Sequence, residues 1–233
     1  MEKVLAAIEK EKQLAASAAV AYIQDGQVIG LGTGSTANYA IREIGRLVQQ
    51  GLQIRAIATS RKTQVLAESL HIPLIDSNGV DYIDLTIDGA DEFNEDMVLI
   101  KGGGGALLRE KIVASMTKKQ IIIADSGKKV EQLGLNFKVP IEIIPFAGNY
   151  VINRLKEMGG IPSIRQLAGK TFVTDQGNWI LDTDFGHIKD PRSLSQHLDE
   201  VVGLVCHGLF IDLTSQIIQG IDNSTQTIFR RSN

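Results

Sequence analysis

The fold is constrained most by the way short apolar runs alternate with helical segments through the first half of the chain. Strands are predicted at 27–31, 54–58, 72–75, 82–87, 97–100 and 120–124. Helices are predicted at 3–24, 61–70 and 105–117, and between Thr36 and Gln50. This alternation indicates an α/β fold, with a Rossmann-like, mostly parallel sheet and helices on both faces. In such sheets ligands bind at the carboxyl ends of the strands.

The pattern changes after about residue 130. Strands at 139–146 and 201–210, helices at 149–158 and 191–200, an edge strand at 163–167 and a hairpin of 170–174 with 178–185 are predicted there. Their order indicates a small α+β (ferredoxin-like) domain at 131–207. The first domain is expected to comprise 1–130 and to be completed by 208–233.

Charge and cysteine content exclude several classes of protein. A net charge of −3 argues against a nucleic-acid partner, which requires a basic surface. The single cysteine, Cys206, allows neither an internal disulfide nor a zinc-ligand spacing, and it indicates a reducing compartment. Charged residues interrupt the N-terminal segment, and no apolar run is long enough to span a bilayer. A cytoplasmic protein that binds no membrane is expected.

The first chemical motif is Gly32-Thr33-Gly34-Ser35-Thr36, between a predicted strand and a predicted helix. Glycines allow a close approach to a ligand, hydroxyl groups add donors, and the helix N-terminus attracts anions. The segment has neither the lysine of a Walker loop nor the third glycine of a dinucleotide-binding fingerprint. It is either a phosphate-binding loop or an ordinary turn with a capping hydroxyl.

Two further motifs follow strands. Asp88-Gly89-Ala90-Asp91-Glu92 groups three carboxylates, which fits a substrate site facing a cation, a solvated acidic turn or a Mg²⁺ site. Lys101-Gly102-Gly103-Gly104-Gly105 enters a helix, where consecutive glycines are costly but can form an anion-binding nest. Glu110, in that helix, would by itself be assigned to the solvated surface.

A last motif, Asp125-Ser126-Gly127-Lys128, also follows a strand and places a second lysine there, although by itself it fits a surface turn better. The four motifs are expected at one edge of one sheet. Together they predict a site for an anionic, polyhydroxylated ligand with acids and bases around it.

The order and spacing of these four motifs, with Arg109-Glu110-Lys111, resemble those of ribose-5-phosphate isomerase, type A. The resemblance covers nearly the whole chain, including Pro140–Pro145 and Gly208–Phe210. The family usually has a serine where this chain has Gly127. The resemblance implies an isomerase of the pentose phosphate pathway that acts without cofactor or metal, as a homodimer or a dimer of dimers.

The resemblance also implies roles for individual residues. Glu110 would be the catalytic base, assisted by Asp88, Asp91 and Lys101. Residues that would bind the phosphosugar are Thr33, Gly34, Ser35, Thr36, Asp88, Gly89, Ala90, Asp91, Lys101, Gly102, Gly103, Gly104 and Lys128.

The chemistry of the isomerisation suggests a role for each of these groups. One carboxylate can carry the proton between C2 and C1, and an enediolate intermediate needs a nearby cation or donor. We therefore assign the proton transfer to Glu110 and the stabilisation of the enediolate to Lys101 and the glycine N–H groups. Asp88 or Asp91 would open the sugar ring. Alternatives are a phosphosugar deaminase, a sugar-phosphate-binding regulatory domain and a Mg²⁺-dependent phosphatase.

Overall fold

A computed structural model describes residues 2–230 of the chain. Its helices are α1 Glu2–Val20, α2 Ser35–Gln49, α3 Arg61–Ser69, α4 Leu107–Ser115, α5 Gly148–Glu157 and α6 Pro191–Asp199. Its strands are β1 Val28–Leu31, β2 Arg55–Ala58, β3 Ile83–Gly89, β4 Glu92–Phe93, β5 Leu99–Ile100, β6 Thr117–Ala124, β7 Val139–Ile143, β8 Ile161–Ile164, β9 Gln166–Leu167, β10 Lys170–Thr171, β11 Trp179–Asp184, β12 Leu204–His207, β13 Leu209–Phe210, β14 Gln216–Ile221 and β15 Ser224–Phe229.

These elements form two compact units. The first unit runs up to Ala90 and takes in Arg109–Lys128 and the chain from Leu213 onward. The second unit comprises Asp91–Leu108 and Lys129–Asp212. The domain limits expected from the sequence stay a prediction.

The first unit is built on a six-stranded sheet with the strand order β15-β14-β6-β3-β1-β2. Neighbouring strands from β14 to β2 are parallel, and only β15 runs antiparallel, along β14. The predicted α/β fold with a mostly parallel sheet is therefore confirmed.

Helices cover both faces of this sheet. Ile29 and Leu31 belong to a core that also includes residues of α1, α2 and α3. Val28 and Ile57 point the other way and pack with Val113 of α4. This division follows from the strand geometry, because successive side chains of a strand point to opposite faces.

Two of the strands predicted for this sheet are not part of it. The segment 72–75 makes only an isolated bridge, between Ala56 and Leu74. The segment 97–100 contributes β5 to a separate antiparallel sheet with the order β13-β5-β4. The chain between β4 and β5 turns sharply at Met97, where φ is 59°. So short a connection permits only antiparallel pairing, because parallel strands need a crossover of about a dozen residues.

The main sheet of the second unit has four antiparallel strands in the order β12-β7-β11-β8. Along the chain the elements follow one another as β7-α5-β8-β11-α6-β12, which is the ferredoxin-like arrangement. Ile141 and Leu181 of the sheet form a core with Val151 and Leu155 of α5 and with Leu198 of α6. The predicted small α+β unit is confirmed.

The predicted hairpin between 170–174 and 178–185 forms only at its tip, around a turn at Asp175 and Gln176. β10 pairs with β9 around a turn at Ala168 and Gly169, where φ is 51° and 75°. Two successive residues with positive φ are typical of a tight hairpin turn. β11 is also a central strand between β7 and β8, and the expected pairing is limited to a bridge between Val173 and Trp179 and a hydrogen bond of 2.9 Å from the N–H of Thr174 to the carbonyl of Asn178.

No helix within residues 2–230 is both long and apolar enough to cross a membrane.

Candidate active site

The loop between β1 and α2 presents the N-terminus of a helix of 15 residues. Gly34 occupies the N-cap position with a φ of 121°, and it offers no side chain to the first turn. The N–H groups of that turn and the positive end of the helix dipole therefore lie beside Ser35 and Thr36. Ser35 is exposed and Thr36 is buried. This is the geometry that binds phosphate groups in many proteins.

The hydroxyl group of Thr33 is engaged within the first unit. Its Oγ1 lies 2.8 Å from Oγ1 of Thr59, 2.9 Å from Oγ of Ser60 and 3.1 Å from Oγ1 of Thr63. Thr63 Oγ1 also donates to the carbonyl of Gly32, at 2.8 Å. The three partners follow β2, and the sequence analysis did not identify them. They hold the loop in place, and a phosphate contact by Thr33 stays a prediction.

Asp88 lies at the end of β3, and its side chain is fully buried. Its Oδ1 accepts hydrogen bonds from the backbone N–H groups of Thr33, at 3.0 Å, and of Gly89, at 2.8 Å. These bonds offset part of the cost of burying a carboxylate. Because β1, β3 and β6 are adjacent and parallel, their three loops lie at one edge of the sheet, as predicted.

Glu110 belongs to the sheet-facing side of α4. It lies one helical turn before Val113, which packs against Val28, Ile57 and Ile83. The exposure of Glu110 is only 3%, although its sequence neighbours suggested a solvated position. Burial of a carboxylate costs free energy. This burial distinguishes Glu110 from an ordinary surface residue, and the sequence did not indicate it.

Lys128 ends a short 3-10 turn that follows β6. The carboxylate of Asp125 accepts from the N–H of Gly127 at 3.1 Å, and the Lys128 N–H donates to the carbonyl of Asp125 at 3.3 Å. The Gln219 amide donates to the carbonyl of Ser126 at 3.3 Å. The turn is thus held without a side chain at position 127.

Glu11 of α1 also holds this turn. Its side chain is 4% exposed and accepts from the N–H of Ser126 and from that of Asp222, both at 2.9 Å. Burial alone would raise the pKa of Glu11, but the hydrogen bonds from Ser126 and Asp222 outweigh it and leave the pKa below its usual value. Glu11 was not predicted as a site residue. A usable signal was its spacing from the buried Ala15 and Ala19, at four and eight residues.

In the second unit, Asp91 and the glycine-rich loop are joined directly. The carboxylate Oδ2 of Asp91 accepts from the N–H of Gly103 at 2.7 Å. A Cβ atom at Gly103 would lie 2.6 Å from the other carboxylate oxygen, so glycine is required for this approach. The neighbouring Glu92 is buried and accepts from the N–H groups of Gly134, at 2.8 Å, and Asn136, at 2.5 Å. Glu92 therefore has a structural role.

Lys101 follows β5, and its exposure is 2%. Its backbone N–H donates to the carbonyl of Gly208 at 2.9 Å. Its Nζ lies 5.5 Å from the centre of the Phe210 ring, which is within the range of a cation–π interaction. A lysine so deeply buried needs compensating interactions, and burial of its charge strengthens its field at short range.

The structure thus groups the predicted residues within each unit. The first unit contains the loop of Thr33–Thr36, the segment Asp88–Ala90, Glu110 and Lys128, and the second contains Asp91 and Lys101–Gly104. The segment Met97–Ile100 does not belong to the parallel sheet, so Lys101, which follows it, does not lie at the end of a strand of that sheet. Across residues 4–230, the side chains of His, Cys, Asp and Glu form no group of three that could hold a metal ion.

Comparison with protein families gives one match. The family model described as ribose 5-phosphate isomerase A (phosphoriboisomerase A) matches residues 55–224. Among individual proteins, ribose-5-phosphate isomerase A of Bacillus mycoides is 49% identical over 213 residues, which are 91% of this chain and 96% of that protein. The enzyme of the same name from Sphingopyxis alaskensis is 47% identical and covers 87% of this chain and 88% of its own.

Solved structures agree with this match. A D-ribose-5-phosphate isomerase in complex with phospho-erythronic acid superposes with a TM-score of 0.93 at 35% identity, covering 96% of this chain and 99% of that one. Ribose 5-phosphate isomerase A from Methanocaldococcus jannaschii gives a TM-score of 0.89 at 38% identity, covering 94% of this chain and 97% of its own.

Proposed function

The chain belongs to the ribose-5-phosphate isomerase A family, and from this premise we propose that it interconverts D-ribose 5-phosphate and D-ribulose 5-phosphate. This reaction belongs to the non-oxidative branch of the pentose phosphate pathway. The observation that carries the proposal is the burial of three ionisable side chains, Asp88, Lys101 and Glu110, whose exposures are 0%, 2% and 3%. Burying charged groups costs free energy, and perturbed environments of this kind are typical of acid–base catalysis.

Glu110 acts as the general base in this proposal. Its carboxylate removes the proton from C2 of the open-chain aldose, the C2–H electrons form a C1–C2 double bond, and the electrons of the carbonyl bond move onto O1. Transfer of the proton from O2 to O1 and return of the carried proton to C1 then give the ketose. A carboxylate in the sheet-facing, water-poor position of Glu110 is suited to hold the proton between these two steps.

The negative charge that develops on the enediolate is stabilised by Lys101 and by the N–H groups of the loop Gly102–Gly104. Lys101 is buried, and preorganised donors in such surroundings stabilise a developing charge most effectively. Asp88 or Asp91 opens the furanose ring and moves the protons bound to oxygen. Both carboxylates are oriented by backbone N–H groups, which supports a positioned rather than a mobile role.

The phosphate group is held at the N-terminus of α2, by Gly34, Ser35 and Thr36, and by the ammonium group of Lys128. The N-terminus of a helix attracts anions, and the residue at its N-cap has no side chain that would occupy it. Gly89 and Ala90 bind the sugar. We further propose that the domains have the limits expected from the sequence.

We also propose that the protein is a homodimer or a dimer of dimers in the cytoplasm. Large apolar side chains of the second unit are exposed, at 100% for Phe146, 77% for Val202 and 52% for Tyr150, and burial of such side chains stabilises association. The mass in solution of the Phe146→Asp variant would test this. A wild type and a variant that are both monomeric would contradict it.

The deciding experiment follows the formation of ribulose 5-phosphate from ribose 5-phosphate in EDTA, with glucosamine 6-phosphate as the comparison substrate. We expect turnover of the pentose alone. Turnover that depends on added Mg²⁺ would contradict the roles given to Asp88 and Lys101, and turnover of the amino sugar would favour a deaminase.

In the Glu110→Gln variant we expect a loss of about 10²- to 10⁴-fold in kcat, with phospho-erythronic acid still bound. An active Glu110→Gln variant would remove Glu110 from the mechanism, and the exposed Glu157→Gln variant serves as the control.

A further inference from the structure

An ion pair of the second unit, between Arg165 and Asp182, lies next to the glycine-rich loop. Arg165 follows β8, and its Nε donates to Oδ2 of Asp182 at 2.9 Å while its Nη2 contacts Oδ1 of the same carboxylate. The two side chains are 12% and 25% exposed. A bidentate pair of this kind fixes the plane of the guanidinium group, which a lysine could not do.

The remaining nitrogen of Arg165 is directed at the loop. Its Nη1 donates to the carbonyl of Gly102 at 2.8 Å and to that of Gly103 at 3.2 Å. The Phe172 ring, whose centre lies 5.9 Å from Cζ of Arg165, supports the loop from below. It is so close that a Cβ atom at Gly105 would lie 2.4 Å from it. Arg165 and Phe172 therefore both contact the glycine-rich loop and restrict its position.

The geometry of the peptide bond carries this effect to the other side of the loop. In a trans peptide the C=O of one residue and the N–H of the next point in opposite directions. Because the Gly102 carbonyl points to Arg165, the Gly103 N–H points away from it, and it donates to Asp91 at 2.7 Å. The Gly103 carbonyl also accepts from Arg165, so the N–H of Gly104 is turned away from Arg165 as well.

We propose that Arg165, oriented by Asp182, is a positioning residue for the isomerase reaction. It sets the direction of two successive peptides, and through them the position of the Asp91 carboxylate and of the glycine N–H donors that face the substrate. This inference rests on the proposed function, since it assigns a purpose to the same loop. Neither residue was predicted as a site residue, because both lie in segments predicted as ordinary strands of the small domain, 163–167 and 178–185.

Kinetics of the Arg165→Met variant test the proposal, with Arg192→Met as the matched control. Arg192 forms a similar bidentate pair with Asp212 in the same unit, but both side chains are exposed. Displacement of catalytic groups by about 1 Å can cost about 10²-fold in rate. We expect a loss of that order in kcat for Arg165→Met, a smaller change in KM, and no comparable loss for the control.

Two further variants separate positioning from a general effect on folding. Arg165→Gly should regain activity when guanidinium ion is added, with saturation, whereas an equal concentration of sodium chloride should not restore it. Arg165→Lys should remain impaired because it lacks the fork of donors. Folded Arg165→Met protein whose kcat matches that of the Arg192→Met control would overturn the proposal. If Arg165→Met does not fold, Asp182→Asn decides by the same comparison.

A spectroscopic measurement keeps this inference separate from the proposed function. With ¹⁵N-glycine labelling, the amide signals of Gly103 and Gly104 should shift in Arg165→Lys and stay in place in Arg192→Met. Unchanged signals in Arg165→Lys would refute the positioning role even if the wild type is an isomerase. If the wild type lacks isomerase activity but the signals do shift in Arg165→Lys, the proposed function is refuted, whereas the orienting contact of Arg165 with the loop is not.

Discussion

The backbone N–H of Thr33 donates a hydrogen bond of 3.0 Å to the buried carboxylate of Asp88. This bond joins the loop after β1 to the end of the neighbouring strand β3. The candidate phosphate-binding loop and a candidate catalytic carboxylate are therefore mechanically connected. A change in either one is expected to affect the other.

Replacing Asp88 by asparagine tests that connection. Asn keeps an oxygen that can accept from Thr33 and Gly89, so the fold should persist with a loss of about 1–3 kcal/mol in the free energy of unfolding. The charge is removed, and we expect a fall of at least about 10²-fold in kcat. Steady-state kinetics and chemical denaturation measure the two effects. Asp88→Asn protein with wild-type kcat would show that Asp88 only orients the loop.

Gly103→Ala tests the close approach between the loop and Asp91. The added Cβ would lie 2.6 Å from the Asp91 carboxylate, so that side chain or the loop must move. The clash is with the end of a side chain at an exposed loop position, so we expect little change in the free energy of unfolding and a marked loss of turnover from the displaced carboxylate. Gly79→Ala is the control, because nothing lies within 4 Å of a Cβ atom there. Equal activity of the two variants would argue against a catalytic role for this loop.

Lys128→Ala tests the phosphate contact. A group that binds substrate and transition state equally contributes to KM and leaves kcat unchanged. We therefore expect a higher KM for ribose 5-phosphate and a nearly unchanged kcat. The adjacent Lys129, which pairs with Glu95, provides the control variant Lys129→Ala. A loss confined to kcat in Lys128→Ala would place Lys128 near the reacting carbons instead.

Glu11→Gln tests how α1 holds the turn that carries Lys128. The lowered pKa of Glu11 in the folded protein means that its carboxylate stabilises the fold above its unfolded-state pKa. That contribution is lost as the pH falls through the lower folded-state pKa. At neutral pH we expect Glu11→Gln to reduce the free energy of unfolding by about 1 kcal/mol.

The pH dependence provides the check on this interpretation. The difference in unfolding free energy between wild type and Glu11→Gln should shrink as the solution is acidified, and it should change little between neutral and mildly alkaline pH. Glu68→Gln, at an exposed position of α3, serves as the control. A difference that stays constant into acid would mean that the charge of Glu11 is not what stabilises the turn.

Local sequence was enough to predict most of the elements and to recognise the motifs of the candidate site. The alternation of strands and helices predicted the parallel sheet, because periodicity and turn residues act over a few positions. The motifs from Gly32 to Lys128 were recognisable because glycines, carboxylates and lysines at the ends of strands have few other uses in combination. The ferredoxin-like order of the small domain followed from the same kind of local pattern.

Tertiary structure decided what depends on partners that are distant in the chain. The segment 97–100 has the composition of a buried strand, yet the turn at Met97 directs it into an antiparallel sheet. The burial of Glu110 and the contact of Arg165 with Gly102 over a separation of 63 residues have no local signature. Whether a charged side chain is solvated or buried depends on what packs against it. The sequence by itself therefore determined the elements and the reactive groups, and only the folded chain decided which charges are buried and which groups hold them.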